Sequence, residues 1–323
     1  MAARLTITSH PACATHDTGA DHPETARRLE VIAAAVRADP ALRAAVSFAT
    51  AAPAGEEDLA RVHTASYLAR LRAVCDEAAA RRGLAWLDDD TPVSAGSWAA
   101  ALASAGCAVA AAEAVARGDA PAAFALSRPP GHHARAGRGG GFCLLNNVAI
   151  AVRALQARGL AERALVLDLD VHHGDGTQEI FYEDPSVSFV SVHLDAHYPW
   201  TGSADERGRG PGVGTTRNVP LAAGSGAPEY HRGLCEALDG ALATFAPDLV
   251  VLSAGFDALA GDPEGGLALS PPDFHRIGAA LLERLPEAAS RRMVAVLEGG
   301  YGLPAVGEAA TQLLRALARL PTR

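Results

Sequence analysis

Leu165-Val166-Leu167-Asp168-Leu169-Asp170-Val171-His172-His173-Gly174-Asp175-Gly176 opens as a short apolar run and ends as a cluster of acids and imidazoles. The apolar half, Leu165–Leu169, predicts a buried strand. Side chains alternate along extended backbone, so Asp168, Asp170 and His172 share one face while Leu169 and Val171 take the other. Two carboxylates and an imidazole on one face at a strand end can hold a divalent cation. The run also suits an acidic loop in which Asp175 starts the next helix, and the motif alone leaves both readings open.

Outward from this stretch, similar apolar runs recur at Leu5–Thr8, Ala122–Leu126, Ser188–Val192, Leu249–Ser253 and Val294–Leu297. Apolar spacings of three and four predict helices over Glu24–Val36, Ala65–Ala80, Ala99–Arg117, Leu144–Ala157, Thr177–Tyr182, Glu229–Phe245, Pro272–Leu285 and Val306–Leu320. Gly118 and Gly159 stop two of them. Continuous apolar strands alternating with helices predict an α/β fold, its mostly parallel sheet covered on both faces. There is no linker and no internal repeat, and the Gly-rich Arg207–Thr216 reads as a loop. The whole of 1–323 is therefore expected to be a single domain.

Composition narrows the function. Apolar residues make up 49% and charged residues 20%, which excludes a disordered or fibrous chain. The uncharged, Ala-rich Trp98–Ala112 reads as a packed amphipathic helix rather than a membrane span. A net charge of −9 suits a small cationic substrate and argues against nucleic acid, which needs a positive surface. All 28 basic residues are Arg, so no lysine Schiff base can form. Five scattered cysteines and no basic leader with an apolar run fit a reducing, cytoplasmic compartment and no membrane partner. Homo-oligomerisation is left open.

Parallel α/β sheets place ligands at the carboxyl ends of their strands. Four strands here end in polar residues: His132-His133, Asp168 to Asp175, Asp257, and Glu298 to Tyr301. Asp257 follows a buried run, where an isolated carboxylate costs several kcal/mol unless paired or metal-bound. Asp170, His172 and Asp257 would leave positions open for water or substrate, as catalytic zinc sites do. This O/N set also accepts Fe(II), Co(II) or Mn(II). His132 and His133 follow a stiff Pro-Pro-Gly turn and, in extended chain, would not point the same way. Two histidines with separate carboxylate partners could divide base and charge-stabilising duties. Tyr301, on a Gly-rich turn, could donate to a developing oxyanion.

These segments together resemble the histone deacetylase superfamily, including acetylpolyamine amidohydrolases and bacterial deacetylases. The resemblance is carried by Arg128-Pro129-Pro130-Gly131-His132-His133, Gly141-Phe142-Cys143-Leu144-Leu145-Asn146-Asn147, Asp168–Gly176, Ser253–Asp257 with Gly261-Asp262-Pro263, and Leu297–Tyr301. His16-Asp17-Thr18-Gly19 and His22-Pro23-Glu24 add to it, so it runs from about residue 10 to the end. It implies an arginase/deacetylase-type fold and one zinc ion, which Fe(II) or Co(II) could replace, held by Asp170, His172 and Asp257. It also implies His133 with Asp175 as general base and acid, His132 with Asp168 as electrostatic partner, and Tyr301 as oxyanion donor. Phe142 and Tyr198 would wall a narrow tunnel, with the Gly141 carbonyl as substrate acceptor. A structural potassium ion would lie near Asp168, Asp170, His172, Ser191 and Val192.

The implied reaction is hydrolysis of the acetyl amide of a cationic amine, an acetylpolyamine or acetyl-lysine, to amine and acetate. Glu298-Gly299-Gly300-Tyr301 resembles the class II side of the superfamily, and Tyr198-Pro199-Trp200 through Gly208 resembles acetylpolyamine amidohydrolases. Glu264, seven residues beyond Asp257, is expected to border the tunnel mouth and attract a second ammonium; Asp90, in Asp88-Asp89-Asp90, is the expected partner of substrate backbone. Both also read as solvated loop acids, since exposed charges contribute little. A two-metal ureohydrolase is disfavoured because Ala258 and Leu259, not a further Asp, follow Asp257. A non-catalytic acetyl sensor would have no need for Tyr301 or the second His–Asp pair.

Overall fold

A computed structural model describes residues 3–323. Its strands are β1 (Leu5–Ser9), β2 (Val46–Thr50), β3 (Ala85–Trp86), β4 (Pro92–Val93), β5 (Ala122–Ala125), β6 (Ala164–Asp168), β7 (Val187–Leu194), β8 (Thr216–Leu221), β9 (Leu249–Ala254) and β10 (Met293–Leu297). Eight form one sheet in the order β2-β1-β5-β10-β9-β6-β7-β8, and every pairing in it is parallel. β3 and β4 form a separate antiparallel ribbon.

The strand period of two divides the core. Leu165 and Leu167 of β6 face one buried cluster with Ile7, Phe124, Leu252 and Leu297, while Val166 faces another with Ala123, Val251 and Val296. The first cluster is closed by helices Arg27–Ala38, Ala227–Leu242, Pro271–Arg284 and Leu303–Leu317, through residues such as Ile32, Leu234, Phe274 and Leu313. Helices Ala65–Arg81, Ser97–Arg117 and Asn147–Ala157 close the second. Burying one Leu or Phe side chain is worth about 1.5–3 kcal/mol, so both faces contribute to holding the sheet.

The predicted helices are present with shifted ends, and local hydrogen bonding sets those ends. The helix expected from Leu144 begins at Asn147, because the Asn146 side chain accepts the Ala149 N–H as its cap. Ser270 and Asp273 form a capping box at Pro271. Ser97–Arg117 is long and apolar enough by composition to cross a membrane, but 67% of its apolar window is buried inside the fold. It is buried on most sides, so its composition reflects a core position rather than the expected amphipathic face. β2 and β8 escape sequence detection because both are edge strands: β2 is largely exposed, and β8 carries Pro220, which a sheet edge tolerates. The Gly-rich loop also ends sooner than expected, since Thr216 already belongs to β8.

Candidate active site

The strands with polar ends are neighbours. β5, β10, β9 and β6 stand side by side at the centre of the sheet, so their C-terminal residues converge on one spot. Asp170, His172 and Asp257 meet there, with ligand atoms all within 4.8 Å of one another. His172 Nδ1 lies 3.0 Å from Asp170 Oδ1 and 3.4 Å from Asp257 Oδ2. The backbone fixes both carboxylates: Asp170 Oδ2 accepts the Gly299 N–H at 2.8 Å, and Asp257 Oδ1 accepts the Val171 N–H at 2.8 Å. Asp257 Oδ2 is buried and has no hydrogen-bond partner. That orphaned oxygen, beside an imidazole nitrogen and a second carboxylate, makes the trio fit a divalent cation. Burial and the Asp170 charge push Asp257 up to about 7, while Asp170 and Asp257 overcome burial to raise His172 to about 10. A Cβ on residue 299 would stand 2.0 Å from Asp257 Oδ2, so only glycine lets the turn after β10 approach the trio.

Asp168 takes a different partner, although the strand period puts it on the same face. Its Oδ2 lies 3.0 Å from His132 Nδ1, and His133 Nδ1 lies 2.7 Å from Asp175 Oδ1. The two imidazoles stand side by side with centroids 4.0 Å apart. The expectation that they diverge is wrong, because the chain is turned here rather than extended: Ala134 N–H donates to Gly131 O. Burial opposes charge on His132, but Asp170 and Asp168 overcome it and hold its pKa well above the ordinary value. Burial, reinforced by His132, pushes His133 down to about 4 against the pull of Asp175. Asp175 is itself held low, burial being outweighed by His133 and by Arg135, which donates to Asp175 Oδ2 at 2.6 and 2.9 Å.

A cavity of ≈180 Å³ opens onto this floor, lined by His132, His133, His172, Gly299 and Tyr301 below and by Gly141, Phe142, His197, Tyr198, Asp90 and Glu264 above. Every expected catalytic imidazole, Tyr301 and every expected substrate-binding residue reaches it. Gly141 adopts φ +56°, and a Cβ there would meet the His133 and Tyr198 rings at 2.7–2.9 Å. The Tyr198 ring is 5.0 Å from that of His133, and the Phe142 ring 5.8 Å from that of Tyr301. Asp90 is tied to the wall through Thr91, whose hydroxyl donates to Asp90 Oδ1 and accepts the Phe142 N–H. Burial and Asp88 raise the Asp90 pKa. Ser191 and Val192 lie on β7; Ser191 stands opposite Asp168 in the pairing with β6, its hydroxyl 2.8 Å from His193 Nδ1.

Several positioning residues were not found by sequence reasoning. His197 stacks on His172 at 5.1 Å between centroids. Asp262 accepts the N–H groups of Tyr301 and Gly302 on one oxygen and that of Glu264 on the other, joining the Tyr301 turn to the mouth. Glu298 accepts the Gly131 and His132 N–H groups, and burial pushes it up to about 7. Fully buried Glu24 pairs with Arg28 and Arg128; Arg28 also donates to Gly300 O and stands 5.0 Å over the Tyr301 ring. Glu24, Arg128 and Asp262 lay inside the quoted motifs, but nothing in their local spacing reveals these partners.

A family model for the histone deacetylase domain matches residues 22–317. The chain belongs to that family. It is thus a hydrolytic enzyme acting on amides, built on the deacetylase fold. It is 41% identical over 293 residues to a histone deacetylase-like amidohydrolase of Pseudomonas aeruginosa, covering 90% of this chain and 74% of that protein. It is 48% identical over 235 residues to an acetylpolyamine amidohydrolase of Burkholderia pseudomallei, covering 72% of this chain and 65% of the relative. The solved structure of an acetylpolyamine aminohydrolase from Burkholderia pseudomallei superposes with a TM-score of 0.85 at 36% identity, covering 98% of this chain and 99% of that one.

Proposed function

We propose that this deacetylase-family enzyme hydrolyses the acetyl amide of a linear, cationic amine, with acetylpolyamines ahead of acetyl-lysine. One observation carries the reading: one narrow cavity is lined at its floor by His172 of the cation-type trio, by His132 and His133 of the two His–Asp pairs and by the Tyr301 phenol, and at its mouth by Asp90 and Glu264. Asp170, His172 and Asp257 would hold zinc, or Fe(II) or Co(II) in its place, and the bound cation supplies Lewis acidity toward an acetyl carbonyl and an attacking water.

The chain's own groups do the rest. His133 is neutral, its Nδ1–H engaged by Asp175, so Nε2 is free to take a proton from the attacking water and return it to the leaving amine. His132, charged beside Asp168 and Asp170, offsets the negative charge that builds at the floor. Tyr301 donates to the oxyanion. The tunnel accepts one extended arm rather than a bulky head. A structural potassium near Asp168, Asp170, His172, Ser191 and Val192 belongs to the same reading.

The rim supports the amine preference. Glu264 and Asp90 line the mouth, and Asp88 and Asp89 are exposed beside it in a chain of net charge −9. The ureohydrolase alternative loses ground because Ala258 and Leu259, where further acidic ligands would be needed, pack in the apolar core. The test compares kcat/KM for an acetylpolyamine and an acetyl-lysine peptide, following acetate release. The reading expects turnover of both and a higher value for the polyamine. Acetate release from neither would overturn it, and a clear peptide preference would overturn the polyamine part.

A further inference from the structure

Among the described residues a second group of ligand-type side chains is as tightly drawn as the first. His132, Cys143 and Glu298 are all buried, with ligand atoms within 4.8 Å of one another. They come from three different segments, and each is already held in place. His132 is fixed through Nδ1 to Asp168, with Nε2 3.8 Å from Asp170 Oδ1. Cys143 sits in a turn closed by reciprocal backbone bonds with Gly140, both 3.0 Å. Glu298 spends Oε2 on two backbone N–H groups, but its Oε1 is fully buried and has no hydrogen-bond partner.

An unmet carboxylate oxygen in the interior costs about 1–3 kcal/mol or more. A cation relieves that cost directly. Asp168, Asp170, Asp257 and Glu298 also bring four carboxyl groups at 0–1% exposure to this part of the interior.

We propose that His132, Cys143 and Glu298 form a second, inhibitory cation site that takes a borderline or soft divalent ion such as zinc. The nitrogen, sulfur and oxygen donors suit Zn(II), Co(II) or Cd(II) and disfavour Mg(II) and Ca(II). Binding forms sulfur–metal and nitrogen–metal bonds and releases both the Cys143 thiol proton and one His132 ring proton to solvent, whereas the Asp170–His172–Asp257 trio has no thiol to ionise. The trio therefore fills first. Occupation of the second site engages a His132 ring nitrogen in a metal bond and so withdraws that imidazole from the cavity floor. That inhibitory consequence rests on the deacetylase reading; the binding itself does not.

The experiment strips the protein with a chelator and titrates it with Co(II). Bound metal per chain is measured after desalting, together with the near-ultraviolet sulfur-to-cobalt absorption and acetate release. The first equivalent should give activity without the sulfur band. The second should bring the band and lower turnover by about 10²-fold, the usual scale of a lost acid–base partner. Cys143→Ala should bind one cobalt, show no band and keep its activity in excess metal; Cys143→Ser serves if the alanine variant folds poorly. One metal per chain with no band in the wild type overturns the proposal, as does an unchanged second equivalent in Cys143→Ala. A band without any deacetylase activity would keep the site and defeat the functional reading instead.

Discussion

The floor and the rim of the cavity use the same residue types to different ends. At the floor, Asp168, Asp170 and Asp257 are at most 1% exposed and each is aimed by a backbone or imidazole partner. At the rim, Asp88 and Asp89 are exposed and Asp90 and Glu264 half-buried. A carboxylate in the low-dielectric interior changes energies by several kcal/mol, whereas an exposed one is worth about 0–1 kcal/mol. Chemistry can therefore be concentrated below while the mouth only biases which substrate enters. Substitutions at the two levels should differ in size and in kind.

The largest effect is expected at the trio. Asp257→Ala should lose the divalent ion that the trio would hold and lower turnover by about 10³-fold or more, since Lewis-acid assistance is worth several kcal/mol. Elemental analysis beside an acetate assay checks it; retained metal and activity would remove Asp257 from the floor's chemistry. Next comes Tyr301→Phe, expected to cost about two to three orders of magnitude in kcat with metal content unchanged.

A histidine buried away from the carboxylates sharpens the contrast. His172, between Asp170 and Asp257, is raised to about 10, whereas burial alone lowers His63 from 6.5 to about 4. His63 binds no proton in the folded state over that interval but does when unfolded. Its contribution is thus complete above pH 6.5 and lost as the pH falls toward 4, about 3 kcal/mol in all. Urea unfolding of the wild type and His63→Gln from pH 7 to 4 should show a shallower loss in the variant; parallel curves would exclude His63 as a source of acid sensitivity. The smallest effect belongs to the rim. Glu264→Leu should change the acetylpolyamine to acetyl-lysine ratio of kcat/KM by about two- to five-fold with little change in kcat for the peptide, the scale of one charge at a solvent-facing rim.

The floor was legible in the sequence because its residues crowd the ends of apolar runs. Asp168 to Asp175, Asp257 and Tyr301 each follow a buried strand, and the parallel-sheet rule brings those ends together. What escaped depends on distance along the chain. Glu24 meets Arg128 across 104 residues, and Arg28 meets Gly300 across 272, so no local pattern could pair them. His197 lies in a loop beyond β7 and is held by contacts distant along the chain, its ring stacked on His172 and its Nε2 3.4 Å from Glu264 O. The direction of His133 was misread because a Gly131 to Ala134 turn replaces extended chain. β2 and β8, at the sheet edges, lack the apolar runs that marked the central strands.

Metal reconstitution tests the central claim most directly. The chelated protein is assayed for acetate release from an acetylated polyamine while Zn(II) is added in fractions of one equivalent. Activity should be absent at the start, rise in proportion to added zinc and reach its maximum at one ion per chain, with no rise in Asp257→Ala. Acetate release that persists without metal, or that rises only once two ions are bound, would contradict a single cation held by Asp170, His172 and Asp257.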